Sequence, residues 1–289
     1  MPSNHEHHLI DFPSLHFPSH LQERSEEVLE NRVVGGFLFS GEYAGLKKDP
    51  TSLDFGLVHC PHGATCAGVF TQNQVVAAPV VLSRQHLDAS TKVNAIVVNS
   101  GNANACTGTE GTQRANILVN TVATLLSEET SSIAPETIQI ASTGVIGAPL
   151  PINRLLASLP KLQASLSAHH IDRFATAIMT TDNRPKYRTL KLNLEGVQGA
   201  GDTQSLIISG CSKGAGMIHP NMATMLAYLF TDAPIESQDL QVLWGEVCQH
   251  SFNAISIDGD TSTNDTALIL SSGDAGSSFL KGAALRLFK

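Results

Sequence analysis

Between Lys213 and Phe230 the chain reads KGAGMIHPNMATMLAYLF. Thr224 stands where a bent, glycine- and proline-containing approach meets an apolar segment. A threonine hydroxyl is a weak nucleophile until a base stands beside it. Making the threonine the first residue of a chain supplies that base, because its own α-amino group titrates at about 7.7–8.0. That state requires cutting the Ala223–Thr224 bond. The hydroxyl can add to the Ala223 carbonyl, draw the acyl group from nitrogen to oxygen, and leave an ester for water to release. A small preceding residue and a bent approach favour this, and Ala223 and Pro220-Asn221 provide both. The β-branch limits χ1 and helps to aim the hydroxyl. On these features alone, a buried threonine that starts a strand or caps a helix is the commoner reading.

Other clusters carry weaker chemistry. HCPHGATC places His59, Cys60, His62 and Cys66 within eight residues, enough soft ligands for zinc. The run lies between two strand-like stretches, where alternate residues face opposite ways, so a tight hairpin turn is expected instead of a metal. DGDTSTND (258–265) opens like a calcium loop, but Thr263 and Ile269 stand where a glycine and a bidentate glutamate are needed. A polar loop held by its own side chains is expected there. SLPK (158–161) matches Ser-x-x-Lys without the motifs that accompany it. No phosphate-cradling glycine pattern occurs. The histidines of the first residues, His5, His7, His8, His16 and His20, show no paired ligand spacing. No metal is therefore expected.

The elements that must position Thr224 follow from pattern. The 289 residues are 42% hydrophobic and 15% charged, with a net charge of −8. That composition suits a globular protein with a sizeable core, and its acidity argues against nucleic acid or an anionic membrane as the main partner. No apolar run reaches the roughly 18 residues of a membrane span. Five scattered cysteines and the lack of a secretory or transit pattern at the start lead to a cytoplasmic expectation. Residues 1–32 read as an extension. Short apolar runs in 36–47, 53–60, 66–71, 94–100, 137–143, 188–196, 205–210 and 267–273 read as strands, and 109–127, 152–166, 168–179 and 237–252 as helices. In the first helix Ile117, Leu118, Val122 and Leu125 carry the periodicity. In the last, Ser237 is the expected N-cap, with Asp239 in the first turn. The alternation points to an α/β or α+β fold, with mixed sheets covered by helices.

Several segments now carry a resemblance. KGAGMIHPNMATML closely resembles the cleavage site of the ornithine acetyltransferase family, the bifunctional glutamate N-acetyltransferases of arginine biosynthesis. AGVFTQNQVVAAPVVLSRQHL, AIVVNSGNANACTG, ASTGVIGAPLPI, ATAIMTTDNRPK and FNAISIDGDTSTNDTALIL look like further family segments in family order, from about Gly35 to Gly273. The resemblance implies helix-flanked double β-sheet layers with an N-terminal-nucleophile-type site. It implies Thr224 as nucleophile, freed by cleavage after Ala223. Thr143 and Gly144 would form the oxyanion hole, and Lys213, Thr180 and Thr181 would contact substrate, Thr180 the more strongly favoured of the two threonines. Gly101–Asn104 also matches and is expected to shape backbone near the site.

The implied reaction is ping-pong acetyl transfer from N-acetyl-L-ornithine to L-glutamate through an acetyl-threonine ester. It needs no cofactor, and acetyl-CoA as a further donor is left open. Residues 33–223 would form an α-chain region and 224–289 the start of a β-chain, the two staying together in an oligomer. The family's β-chains run on past DGDTSTND to a glutamate, an asparagine and a Ser/Thr of the substrate site. These have no counterpart here, so a C-terminally truncated copy is expected. Two alternatives stand beside this reading: a related aminopeptidase with a freed N-terminal nucleophile, and an inactive fragment of the transferase.

Overall fold

A computed structural model describes residues 27–28, 33–128, 131–217 and 225–288. Ala223, Thr224 and the five histidines of the extension lie outside the described residues.

Among the described residues, nine strands hydrogen-bond into one sheet. They are β1 (Glu27–Val28), β2 (Leu38–Glu42), β3 (Phe55–Phe70), β4 (Lys92–Asn102), β5 (Ile138–Val145), β6 (Lys186–Asn193), β7 (Ser205–Lys213), β8 (Leu226–Thr231) and β9 (Thr266–Ser271). Their order is β1-β6-β7-β8-β9-β3-β4-β5, with β2 also on β3. The β4–β5 and β8–β9 pairs are parallel and the others antiparallel. Each parallel pair is joined through a helix, as parallel pairing requires: α2 (Gly108–Leu126) in the first and α5 (Ser237–His250) in the second. The remaining helices are α1 (Ala78–Ala89), α3 (Ile152–Ala164), α4 (Ile171–Ala177) and α6 (Gly282–Phe288).

The sheet forms the expected double layer by serving two faces at once. Along β8, Leu226, Tyr228 and Phe230 enter an inner apolar layer, while Ala227 faces the outer one under α5 and α6. Along β3, Val58 and Cys60 face inward, and Phe55 and Leu57 outward under α2 and α3. This is the two-residue period of strands buried on both sides. The inner faces meet through aromatic rings. Phe39 of β2 lies 5.0 Å and Phe37 5.3 Å from Phe230 of β8, strands that do not pair, and Phe174 of α4 lies 5.4 Å from Tyr228. Glu42 is buried and binds Lys161 of α3 at 2.8 Å and Arg173 of α4 at 3.0 Å, tying β2 to both helices.

Three expectations need correction. HCPHGATC is not a hairpin turn: it lies within the single strand β3, whose pairing with β4 shifts register between His59 and Ala64. A bulge there absorbs Pro61, His62 and the positive-φ Gly63, which the sequence signals as a turn. Cys60 and Cys66 point into the inner core, where burial pushes both thiols up, Cys60 to about 12. In α2 the buried stripe is Ala115, Leu118, Val119, Val122, Ala123 and Leu126, and Ile117 is exposed. Ser237 is the first residue of α5, preceded by Glu236, so it is not the cap, although Asp239 does occupy the first turn. Helix α1, with Pro79 in its first turn, is an element that strand-like valines hid.

Candidate active site

The parallel strands β4 and β5 both end at the site. Gly101 and Gly144 are paired across them, with φ of +100° and +132°. A Cβ on Gly144 would lie 2.3 Å from the Gly101 carbonyl carbon, so only glycine fits this approach. The SGNANACTG run maintains the geometry through asparagines. Asn99 Nδ2 donates to the Asn102 carbonyl at 2.8 Å, and Asn99 Oδ1 accepts from the Ser142 hydroxyl at 2.6 Å. Asn102 Oδ1 accepts from the Asn104 N–H at 2.8 Å. From DGDTSTND, Asn264 Nδ2 donates to the carbonyls of Ala103 and Ser142 at 2.6 and 2.9 Å. The polar loop expected at 258–265 therefore braces the strand ends that carry Thr143 and Gly144, and Gly101–Asn104 does shape the backbone there.

Thr143 meets Lys213. The Lys213 Nζ, at the end of β7, donates to Thr143 Oγ1 at 2.6 Å, and both side chains are buried. Burial pushes the Lys213 ammonium down to about 8 against the upward pull of Asp182 and Asp265, with Lys186 and Lys47 adding to the downward push. A charge in such a place is tolerated only when paired or hydrogen-bonded.

Asp182 joins this end of β7 to the Met-Thr-Thr turn. Its carboxylate accepts from the Gly214 N–H at 3.0 Å, from the Thr180 N–H at 3.4 Å, and from Lys186. Lys186 also donates to the Gly214 carbonyl at 2.8 Å. Burial by itself would raise the Asp182 carboxyl, but Lys186 and the two N–H donors outweigh it and hold it below the usual carboxylate range. Thr180 is half-buried beside this carboxylate and Thr181 is exposed.

The strand that follows Thr224 begins at the same place. Met225 donates its N–H to Asp265 Oδ1 at 2.8 Å and accepts from the Thr266 N–H at 3.0 Å. Leu226 is the register partner of both Lys213 and Thr266. Of the expected site residues, Thr143, Gly144 and Lys213 are thus brought together, Thr180 is linked through Asp182, and Thr181 is left at the surface. Asp182, Asp265, Asn99 and Asn264 are site residues that the sequence reading did not single out. The acid of MTTD looks like any turn carboxylate until its burial is known. Two cavities, of about 310 Å³ against β6 and β7 and about 690 Å³ between α1 and α5, are lined by neither Thr143 nor Lys213.

A folded-over mixed sheet between helices, with a hydroxyl, a glycine and a buried ammonium gathered where strands end, defines an α/β protein with a polar cluster at its strand ends. Comparison then narrows the class. The ArgJ family profile matches residues 38–288, and the chain belongs to the ArgJ family. It is 44% identical over 247 residues to the arginine biosynthesis bifunctional protein ArgJ of Geobacter sulfurreducens, covering 86% of this chain and 59% of that protein. The chain thus spans 59% of the length of that curated relative. A crystal structure of the same-named protein from Bacillus halodurans superimposes with a TM-score of 0.60 at 31% identity, covering 69% of this chain and 99% of that one. The ornithine acetyltransferase of Mycobacterium tuberculosis, solved in complex with ornithine, superimposes with a TM-score of 0.58 at 32% identity, covering 70% and 100%. Among the described residues, no helix is long and apolar enough to cross a membrane.

Proposed function

We propose that this chain transfers acetyl groups from N-acetyl-L-ornithine to L-glutamate through an ester on Thr224. The observation that carries the reading is the Lys213–Thr143 contact of 2.6 Å, set beside the strand that follows Thr224 in a member of the ArgJ family. The relative solved with ornithine supports ornithine as the first product.

The chain first cuts itself. Thr224 Oγ adds to the Ala223 carbonyl, the peptide nitrogen leaves as the Thr224 α-amine, and water hydrolyses the ester, releasing the Ala223 carboxylate and restoring the Thr224 hydroxyl. Residues 33–223 and 224–289 then remain together as α and β parts of an oligomer. In transfer, Thr224 Oγ attacks the acetyl carbonyl while the α-amine takes its proton. The oxyanion is met by the Thr143 hydroxyl and the Gly144 N–H, the kind of donor whose loss costs about 10²–10³ in rate. The carbon–nitrogen bond breaks, the α-ammonium returns its proton to the leaving amine, and ornithine departs. Glutamate's amine attacks the ester and leaves as N-acetylglutamate, restoring the hydroxyl. Thr180, beside the Asp182 carboxylate, lines the amino-acid site, with the exposed Thr181 at its rim. The steps balance without a metal or organic cofactor; acetyl-CoA is a further candidate donor. We place this chemistry in the cytoplasm.

Incubation with N-acetyl-L-ornithine alone tests the reading. One ornithine released per protein, with one acetyl group added to the fragment that begins at Thr224, is the expected result. Hydrolysis of peptide amides without acetyl capture would instead indicate an aminopeptidase. An unmodified protein would contradict acetyl transfer.

A further inference from the structure

We propose that Lys213 is a positioning residue that turns the Thr143 hydroxyl proton toward the reacting carbonyl; this rests on the oxyanion-hole reading above. An ammonium has donors and no acceptor. When Lys213 donates into Thr143 Oγ1, the hydroxyl's own proton must point elsewhere. The charge behind the oxygen also polarises that O–H, which strengthens it as a donor to a developing oxyanion. Burial of both groups keeps water from competing for the same oxygen.

The arrangement changes when Lys213 loses its proton. A neutral amine has a lone pair and can accept the Thr143 proton, which draws the hydroxyl back from the carbonyl. Burial sets this exchange near pH 8. The charged groups that face Lys213 come from four segments: Asp182 after α4, Lys186 on β6, Asp265 before β9, and Lys47 between β2 and β3. The two aspartates favour the ammonium, and the two lysines and burial oppose it. A contact to a substrate carboxylate would act on binding, whereas a contact to Thr143 acts on the transition state, so the two roles separate kinetically.

The test uses the full chain labelled with ¹³C-lysine, titrated by NMR, beside acetyl-transfer kinetics. A lysine signal absent from Lys213→Met should titrate near pH 8. Its midpoint should fall in Thr143→Val, which removes the oxygen that stabilises the ammonium. The wild-type kcat should decline with the same midpoint on the alkaline side. Lys213→Arg, which keeps a permanent charge and donors, should retain part of the activity and lose that decline. Lys213→Met should lower kcat by about tenfold to a hundredfold with the KM for glutamate unchanged. Should Lys213→Met fail to fold, Lys213→Arg and Thr143→Val carry the test. A midpoint indifferent to Thr143→Val, or a KM effect with kcat unchanged, overturns the proposal. If the wild type transfers no acetyl group, the functional reading falls, and the response of the midpoint to Thr143→Val still decides the Lys213–Thr143 coupling.

Discussion

At Gly144 a single hydrogen atom separates a working strand end from a collision. Gly144→Ala would place a methyl group 2.3 Å from the Gly101 carbonyl carbon at a φ that L-residues rarely adopt. The β4 and β5 ends would have to part, moving Thr143 with them. On the proposed oxyanion role of Thr143 and Gly144, we expect about a hundredfold loss of acetyl-transfer kcat, measured with N-acetyl-L-ornithine and glutamate, because misplacing such a donor costs about as much as deleting it. Asn264→Ala acts from behind. It strands the carbonyls of Ala103 and Ser142 in a buried setting, and we expect a stability loss of about 2–3 kcal/mol by urea titration. Much of this was legible in the residues. Ala223, Thr224, Thr143, Gly144 and Lys213 stand in long family-like runs, and the described members of the set meet in space. Asp182 and Asn264 were not legible, because a carboxylate or amide in a polar turn carries no sign of its burial. Their importance comes from partners 32 residues away in one case and 122 and 161 in the other.

The strands follow the same division at the level of elements. β4, β5, β6, β7 and β9 announce themselves as apolar runs bounded by glycine or polar loops, and each forms where expected. β3 does not, because Pro61 and Gly63 read as a turn while the pairing partner β4 runs past both halves. Local signals lose there to a ladder that spans the bulge. The doubling of the sheet was likewise invisible in any one strand, since it depends on Phe39 and Phe230 meeting from strands that never pair. A double-mutant cycle tests that meeting. Phe39→Ala and Phe230→Ala should each cost about 3–5 kcal/mol. Their coupling should be about 0.5–1.5 kcal/mol, the range for an edge-on aromatic pair. Strict additivity would mean that the two inner faces do not touch there.

For the molecule as a whole, stability should carry a mark of its buried charges. Burial pushes the Asp232 carboxyl up to about 6; the Ile207 N–H opposes this and Asp274 adds to it. The folded chain then holds a proton that the unfolded chain releases near pH 4, so this group withdraws stability as pH rises from about 4 to 6. Asp232→Asn keeps an acceptor for Ile207, and should raise stability by about 1 kcal/mol at pH 7 and leave it nearly unchanged at pH 4. Lys213 works in the other direction. Its lowered titration penalises the folded state below pH 8, and the penalty is relieved as pH rises from there toward the ordinary lysine value. Such a strained charge beside a strand-end hydroxyl is what a site for acyl chemistry would keep. The central claim is that Thr224 reacts there, and the intact mass of freshly expressed protein beside a Thr224→Ala control tests it most directly. The account predicts two pieces, of 223 and 66 residues, from the natural sequence and one uncut chain from the variant. A single uncut mass from both, or the same cut in both, would contradict it.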